Sequence, residues 1–252
     1  MKRTAGAIAA LLLIIVLFAG CKKFDKKGYL PEPGIVLTFD DDRVDNWFAY
    51  LPLLDSAGAK ATFYVCKYHS FTNEQKRKLS IIQSHGHEIA FHTTNHYNLK
   101  DYVYKQGNSF NKLIRCEVLD ELKLMNRDGF YPTAFAFPYG AHNSALDSLF
   151  ILHFKSIRAL NGTQNFAKSI VSTQSNNKLL YGLGIDKSSN RSDEDLMKML
   201  QSVKENNACA IFVAHDINTS YKFSVTLSRL KKMFEFAKTN ALKYYTVFEI
   251  SN

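Results

Sequence analysis

The sequence predicts one α/β domain, a distorted (β/α) barrel of seven or eight strands spanning residues 34–252. Short apolar runs of strand length alternate with helix-patterned segments about eight times. No repeat of fixed period and no low-complexity insert interrupts the alternation. Asp40-Asp41, His92 with His96, Pro138-Tyr139 and His215 all fall just after strands, and a parallel barrel carries such positions to one face. At 252 residues, 46% of them hydrophobic, the chain can bury a sizeable core.

The first strand, Ile35-Val36-Leu37-Thr38-Phe39, is an apolar run of the kind buried on both faces, and it stops at Asp40-Asp41-Asp42. Three adjacent carboxylates repel one another unless something positive offsets them, and a metal ion is the simplest such charge. A solvated acidic turn capping the next helix is the alternative reading. Helical spacing then runs from Val44 to Leu54 and closes at Gly58, and Ala61-Thr62-Phe63-Tyr64-Val65 forms a second strand. Thr72-Asn73-Glu74-Gln75 has the form of a capping box ahead of Leu79, Ile81 and Ile82, with Gly86 as the stop. A third strand, His87-Glu88-Ile89-Ala90-Phe91, runs directly into His92-Thr93-Thr94-Asn95-His96. A long helix carries Phe110, Leu113, Ile114, Val118, Leu122 and Met125 on one stripe and ends at Gly129. Ala134-Phe135-Ala136-Phe137 makes a fourth strand leading into Pro138-Tyr139-Gly140. Beyond it the pattern predicts a helix near 144–152 and strands near Phe154–Leu160 and Leu179–Ile185. A helix over Asp193–Val203, a buried strand over Ala208–Ala214 ending at His215, a helix over Val225–Ala237 and a last strand over Tyr244–Ile250 complete the chain.

Residues 1–21 read as a lipoprotein signal peptide. Lys2 and Arg3 precede an apolar run from Ala5 to Ala19, too short and too abruptly ended for a stable membrane span, and Phe18-Ala19-Gly20-Cys21 resembles the bacterial lipobox. Cleavage before Cys21 and lipidation of that residue would leave an exported, membrane-tethered lipoprotein; an uncleaved N-terminal anchor is the alternative. Residues 22–33, with four lysines and two prolines, read as a tether. Lys22-Lys23 after the lipobox suits an outer-membrane or periplasm-facing location.

The formal charge of +9 falls to +7 once the leader is removed, 30 basic against 23 acidic residues. Those basic residues are scattered, without the aromatic-interleaved stripe that nucleic-acid binding needs. Cys66, Cys116 and Cys209 are an odd, widely spaced set, no disulfide framework, and read as small buried residues. Oligomeric state is left open by the sequence.

His92 and His96 lie four apart, which puts both imidazoles on one side of a helical turn or compact loop. A surface or helix-capping pair would show the same spacing. With a strand-end Asp added, His, His and Asp form the ligand type of a catalytic zinc or similar divalent site with an open fourth position. His69, His85, His87, His142 and His153 have no such partner spacing, although His142, three residues after Tyr139, is placed to line the cleft.

Thr38-Phe39-Asp40-Asp41, His92-Thr93-Thr94-Asn95-His96, Phe137-Pro138-Tyr139-Gly140 and Val213-Ala214-His215 occur in the order and approximate spacing of the polysaccharide deacetylase family of carbohydrate esterases, which this chain resembles over about residues 34–250. The resemblance implies that Asp41, His92 and His96 bind a divalent metal, most simply Zn2+ with Co2+ or Ni2+ as alternatives. It makes Asp40 the general base, His215 the general acid and the Tyr139 backbone N–H an oxyanion donor. Each role has a physical reason. A divalent ion brings the pKa of bound water towards ~7, a fixed N–H stabilises charge developing on a carbonyl oxygen, and a departing amine needs a proton that imidazole can supply. Pro138 has no N–H, so Tyr139 is the first backbone donor in its turn.

Three positions depart from the family pattern. Asp42 stands where Gly is usual and adds a third carboxylate near the metal. Ala136 stands where an Arg often holds the base aspartate. Ser189-Asn190 stands where Asp-Trp is expected, removing a tuning partner for His215 and an aromatic wall. The implied activity is removal of N-acetyl groups from an amino-sugar polysaccharide containing N-acetylglucosamine. An O-acetyl glycan esterase using the same site and a non-catalytic glycan-binding lipoprotein are the alternatives.

Overall fold

The computed structural model describes residues 32–162, 166–171 and 177–251. The signal peptide, Cys21 and all but the last two residues of the tether lie outside them. Seven strands form a closed parallel barrel: β1 (Gly34–Asp41), β2 (Ala61–Val65), β3 (Glu88–Phe91), β4 (Ala134–Ala136), β5 (Ser156–Leu160), β6 (Leu179–Gly184) and β7 (Cys209–Ala214). Each pairs with the next, and β7 closes on β1 in a register running from Gly34 opposite Cys209 to Phe39 opposite Ala214. All seven C-terminal ends therefore open on one face, which gathers the residues that follow them.

Side chains alternate across each strand. On β1, Ile35, Leu37 and Phe39 join the large core between barrel and helices, while Val36 packs inside the barrel with Tyr64, Ala90, Ala136, Leu180 and Ile211. Asp40 shares the parity of Val36, so the strand turns a carboxylate towards the interior at its C-terminal end. At the opposite end, Val247 and Ile250 of a short helix (Val247–Ile250) complete the interior cluster and plug the barrel. Thr62 accepts a hydrogen bond from the Val247 N–H at 2.9 Å and donates to Glu88 at 2.8 Å.

That plug corrects one expectation. Instead of a last strand over Tyr244–Ile250, only Lys243–Tyr244 is extended, beside β1, and Thr246 with Glu249 forms a capping box that starts the helix. One predicted helix is also broken, and another carries an irregular turn. The segment Val44–Leu54 splits at Tyr50 into Val44–Ala49 and Leu51–Ser56, with Pro52 in the first turn of the second piece, where its missing N–H is harmless. The long helix forms as read, continuous through Phe110–Ile114 and Asp120–Arg127, with a π turn between them at Arg115–Leu119. The Thr72 capping box forms as read, a contact of about 1 kcal/mol. Cys66 and Cys209 are buried, Cys116 is half-buried, and all three are free thiols. Among the described residues no helix is long and apolar enough to cross a membrane.

Candidate active site

At the C-terminal face of the barrel, Asp41, His92 and His96 place one ligand atom each within 4.8 Å of one another. Asp41 Oδ1 lies 3.2 Å from His96 Nε2 and 3.8 Å from His92 Nε2. The backbone is bent to bring them there: Asp41, Thr93 and His96 all have positive φ, at 90°, 71° and 58°, which non-glycine residues adopt only where surroundings enforce it. The compact loop His92–His96, rather than a helical turn, therefore presents both imidazoles. His92 Nδ1 donates to the Ala136 carbonyl at 2.8 Å, leaving Nε2 with its lone pair, and burial pushes the ring down to about 4, so it is neutral at pH 7. Burial alone would raise the Asp41 carboxyl; contact with His96 and the nearby rings of His92 and His215 outweigh it and hold the group well below the usual carboxylate range. Two imidazoles and a carboxylate held ionised fit a divalent cation by donor chemistry.

Beside them stands Asp40, 3% exposed, whose Oδ2 accepts a 2.5 Å hydrogen bond from Arg158 Nη2. Arg158 comes from the middle of β5, is fully buried inside the barrel and stacks 5.0 Å over the Tyr64 ring. Space for it is made on β6, where Gly182 lacks a side chain. A Cβ there would meet Arg158 Cδ at 2.9 Å and press harder still on Val213. Asp40 Oδ1 has no hydrogen-bond partner among the described residues.

His215 follows β7. Its Nδ1 is 2.6 Å from Asp186 Oδ2, and its carbonyl accepts from the buried Trp47 indole at 2.7 Å, so ring and backbone are both held. Burial works against the imidazolium, but the hydrogen bond to Asp186, with Asp40 and Asp41 nearby, more than offsets it and raises the His215 pKa. Across the cleft, Pro138-Tyr139-Gly140 makes a tight turn in which Tyr139 has φ 59° and Gly140 φ 64°. The Gly140 and Ala141 N–H groups bond to the carbonyls of Phe137 and Pro138, so the Tyr139 N–H is the donor the turn leaves over. These groups line a cleft of about 430 Å³ whose far wall carries Tyr221 and Phe223.

The family model for polysaccharide deacetylases matches residues 27–150. The chain carries a polysaccharide deacetylase domain. Two curated relatives are each 30% identical to it. One is YxkH of Bacillus subtilis (strain 168), provisionally named a polysaccharide deacetylase, aligned over 118 residues that make up 44% of this chain and 39% of the relative. The other, from Arthroderma benhamiae, is provisionally named a peptidoglycan-N-acetylglucosamine deacetylase and aligned over 111 residues, 43% of this chain and 24% of the relative. The chain thus spans well under half the length of either relative. Among solved structures, the chitin deacetylase from Colletotrichum lindemuthianum shares the barrel at a TM-score of 0.60 and 18% identity, over 88% of this chain and 89% of that one.

Within the deacetylase domain, all six sequence-predicted site residues, Asp40, Asp41, His92, His96, Tyr139 and His215, line the one cleft. Several expectations around them are corrected. Asp42 lines the cleft as a third carboxylate but stays out of the ligand cluster, paired instead with Lys67 at 3.2 Å and Arg43 at 3.6 Å. Ala136 does not leave Asp40 without a cation, because Arg158 reaches it from the neighbouring strand. Nor does Ser189-Asn190 deprive His215 of a partner, since Asp186, at the end of the segment after β6, supplies it. The aromatic wall is present too, formed by Phe223 at 5.3 Å between ring centroids from His215 and by Tyr221 behind it at 5.4 Å. His142 turns away from the cleft to Asp147 at 3.0 Å. Arg158 was findable in the sequence: it is a charge in the middle of a strand whose neighbours Ile157 and Ala159 are apolar.

Proposed function

We propose that this chain is a metal-dependent hydrolase that removes N-acetyl groups from an N-acetylglucosamine-containing polysaccharide. The observation that carries the reading is the convergence in one cleft of a three-ligand site with two tethered proton carriers, Asp40 on Arg158 and His215 on Asp186. A binding protein has no use for either carrier. Substrate choice is supported by the N-acetylglucosamine deacetylase named among the relatives.

Asp41, His92 and His96 would hold the ion, Zn2+ or else Co2+ or Ni2+, which supplies Lewis-acid activation of water and of the acetyl carbonyl. Net reaction adds water across the amide: a C–O bond forms, the C–N bond breaks, and acetate and the free amine result. Asp40 takes the water's proton on Oδ1, while Arg158 keeps Oδ2 and the orientation of the group. The Tyr139 N–H is aimed to stabilise charge on the carbonyl oxygen. His215, oriented through Nδ1 by Asp186, hands a proton from Nε2 to the departing nitrogen. That raised, tethered imidazolium favours an amine over an alkoxide leaving group, and so the N-acetyl over the O-acetyl reading.

Acetate release from acetylated amino-sugar oligomers tests this on metal-stripped protein and after reloading with zinc, cobalt or nickel. Release only with metal, abolished by Asp41→Ala, is expected. Unchanged release and metal content in that variant would sink the proposal. We further propose that the domain is tethered to a bacterial membrane by lipid on Cys21, which predicts fatty-acid labelling lost in Cys21→Ala.

A further inference from the structure

The loop that presents both histidines is held from outside the cleft by one buried side chain. Glu117, 1% exposed, sits on the π turn at Arg115–Leu119. Its Oε1 accepts from Asn95 Nδ2 at 2.7 Å, its Oε2 from the Asn95 N–H at 3.0 Å, and its backbone carbonyl from the Thr94 N–H at 3.1 Å. Three hydrogen bonds from one residue thus fall on the two positions between Thr93 and His96, the positive-φ residues of the loop. Thr94 passes the restraint on, its carbonyl accepting from the Lys67 N–H at 3.0 Å beside β2. One turn further along the helix, Glu121, 2% exposed, grips the other loop, accepting from the His69 N–H at 2.8 Å and facing His69 Nδ1 at 3.0 Å.

Burying a carboxylate costs several kcal/mol unless hydrogen bonds satisfy it. Among the described residues the Glu117 carboxylate meets that cost by bonding only to the histidine loop. An α-helix interrupted by a π turn at the residue that grips the loop is the kind of local irregularity that collects at functional sites. Resting on the metal-site reading above, we propose that Glu117 is a positioning residue for the metal: it touches no ligand, and fixes the strained loop in which His92 and His96 converge on Asp41. Outer partners of this kind typically contribute 10–100-fold in metal affinity.

The test is Co2+ binding by the full chain, read by chelator competition and by the visible absorption of the bound ion. Glu117→Gln keeps shape but puts an NH2 against one of two N–H donors; the expected result is ~10–100-fold weaker binding with an altered cobalt spectrum. Glu121→Gln is the control: an equally buried acid on the same helix that holds a different loop, expected to bind within a few-fold of the parent. Asn95→Ala, at an exposed position, removes only the Nδ2 donor and keeps the inference testable should Glu117→Gln fold poorly; its binding should weaken several-fold. Parent-like affinity and spectrum in Glu117→Gln or, where that variant is unfolded, in Asn95→Ala, or equal weakening in Glu121→Gln, would overturn the inference alone. A parent chain that binds no Co2+ would overturn the metal-site reading, and this inference with it.

Discussion

Replacing Arg158 by Met keeps the length and apolar stem of the side chain but leaves Asp40 as a buried carboxylate without its cation. Both groups are at most 3% exposed and joined at 2.5 Å, so the contact is not a screened surface pair. Removing one partner of such a pair costs about 3–5 kcal/mol, whereas replacing both with uncharged groups of similar volume is often close to neutral. Urea unfolding should therefore show Arg158→Met less stable by about that amount, a large part of the 5–15 kcal/mol typical of a folded domain, and Asp40→Asn/Arg158→Met recovered to within roughly 1 kcal/mol of the parent. Activity should diverge from stability. The double variant is stable and inactive, while Arg158→Met with full metal content releases acetate on the order of 100-fold more slowly, the typical effect of a mis-aimed catalytic group. A loss of stability under 1 kcal/mol in Arg158→Met, or a double variant as unstable as the two singles combined, would refute the assignment of Arg158 as the partner that makes a buried Asp40 tolerable.

Asp186→Asn removes the carboxylate that raises His215; kcat should fall by about 100-fold or more, and the alkaline limb of the pH–rate profile should move to lower pH, since less imidazolium survives as pH rises. Gly140→Ala should slow the reaction without removing metal, because its Cβ would lie 2.6 Å from Leu160 Cβ and push the Tyr139 peptide out of line; metal analysis beside acetate release checks this. His87 is buried, accepts from the Ala61 N–H at 3.0 Å and is pushed down by burial to about 4. Above about pH 6.5 the folded and unfolded rings are both neutral; below it the unfolded ring takes up a proton that the folded one refuses, so stability falls by up to about 3 kcal/mol as pH drops towards 4. Unfolding midpoints at pH 7 and 5 should diverge less in His87→Asn, and an identical pH dependence would count against this origin.

Much of this was legible in the sequence because strand ends in a parallel barrel carry local signals. The apolar run before Asp40, the strand before His92 and the run Cys209–Ala214 before His215 each announce a buried strand and its last residue. Partners that hold these groups were not legible in the same way. Arg158 and Asp40 are 118 residues apart, and only closure of the barrel, with Gly182 leaving room for the Arg158 stem, brings them together. Asp186 lies 29 residues from His215, and no local pattern in the sequence links the two. The plug helix was misread for a different reason: Tyr244–Ile250 has strand composition, and the Thr246 and Glu249 cap that overrides it is a four-residue signal inside an apolar run.

The interior of this barrel is a ring, and at the level of Asp40 any of several strands can reach the same point in space. A guanidinium that enters from β5 arrives where one entering from β4 would. What the chemistry requires is a charge at a place, and closure makes that place reachable from more than one column of the sequence. A motif with a gap in it, read along a line, then says little about whether the circle it belongs to is complete.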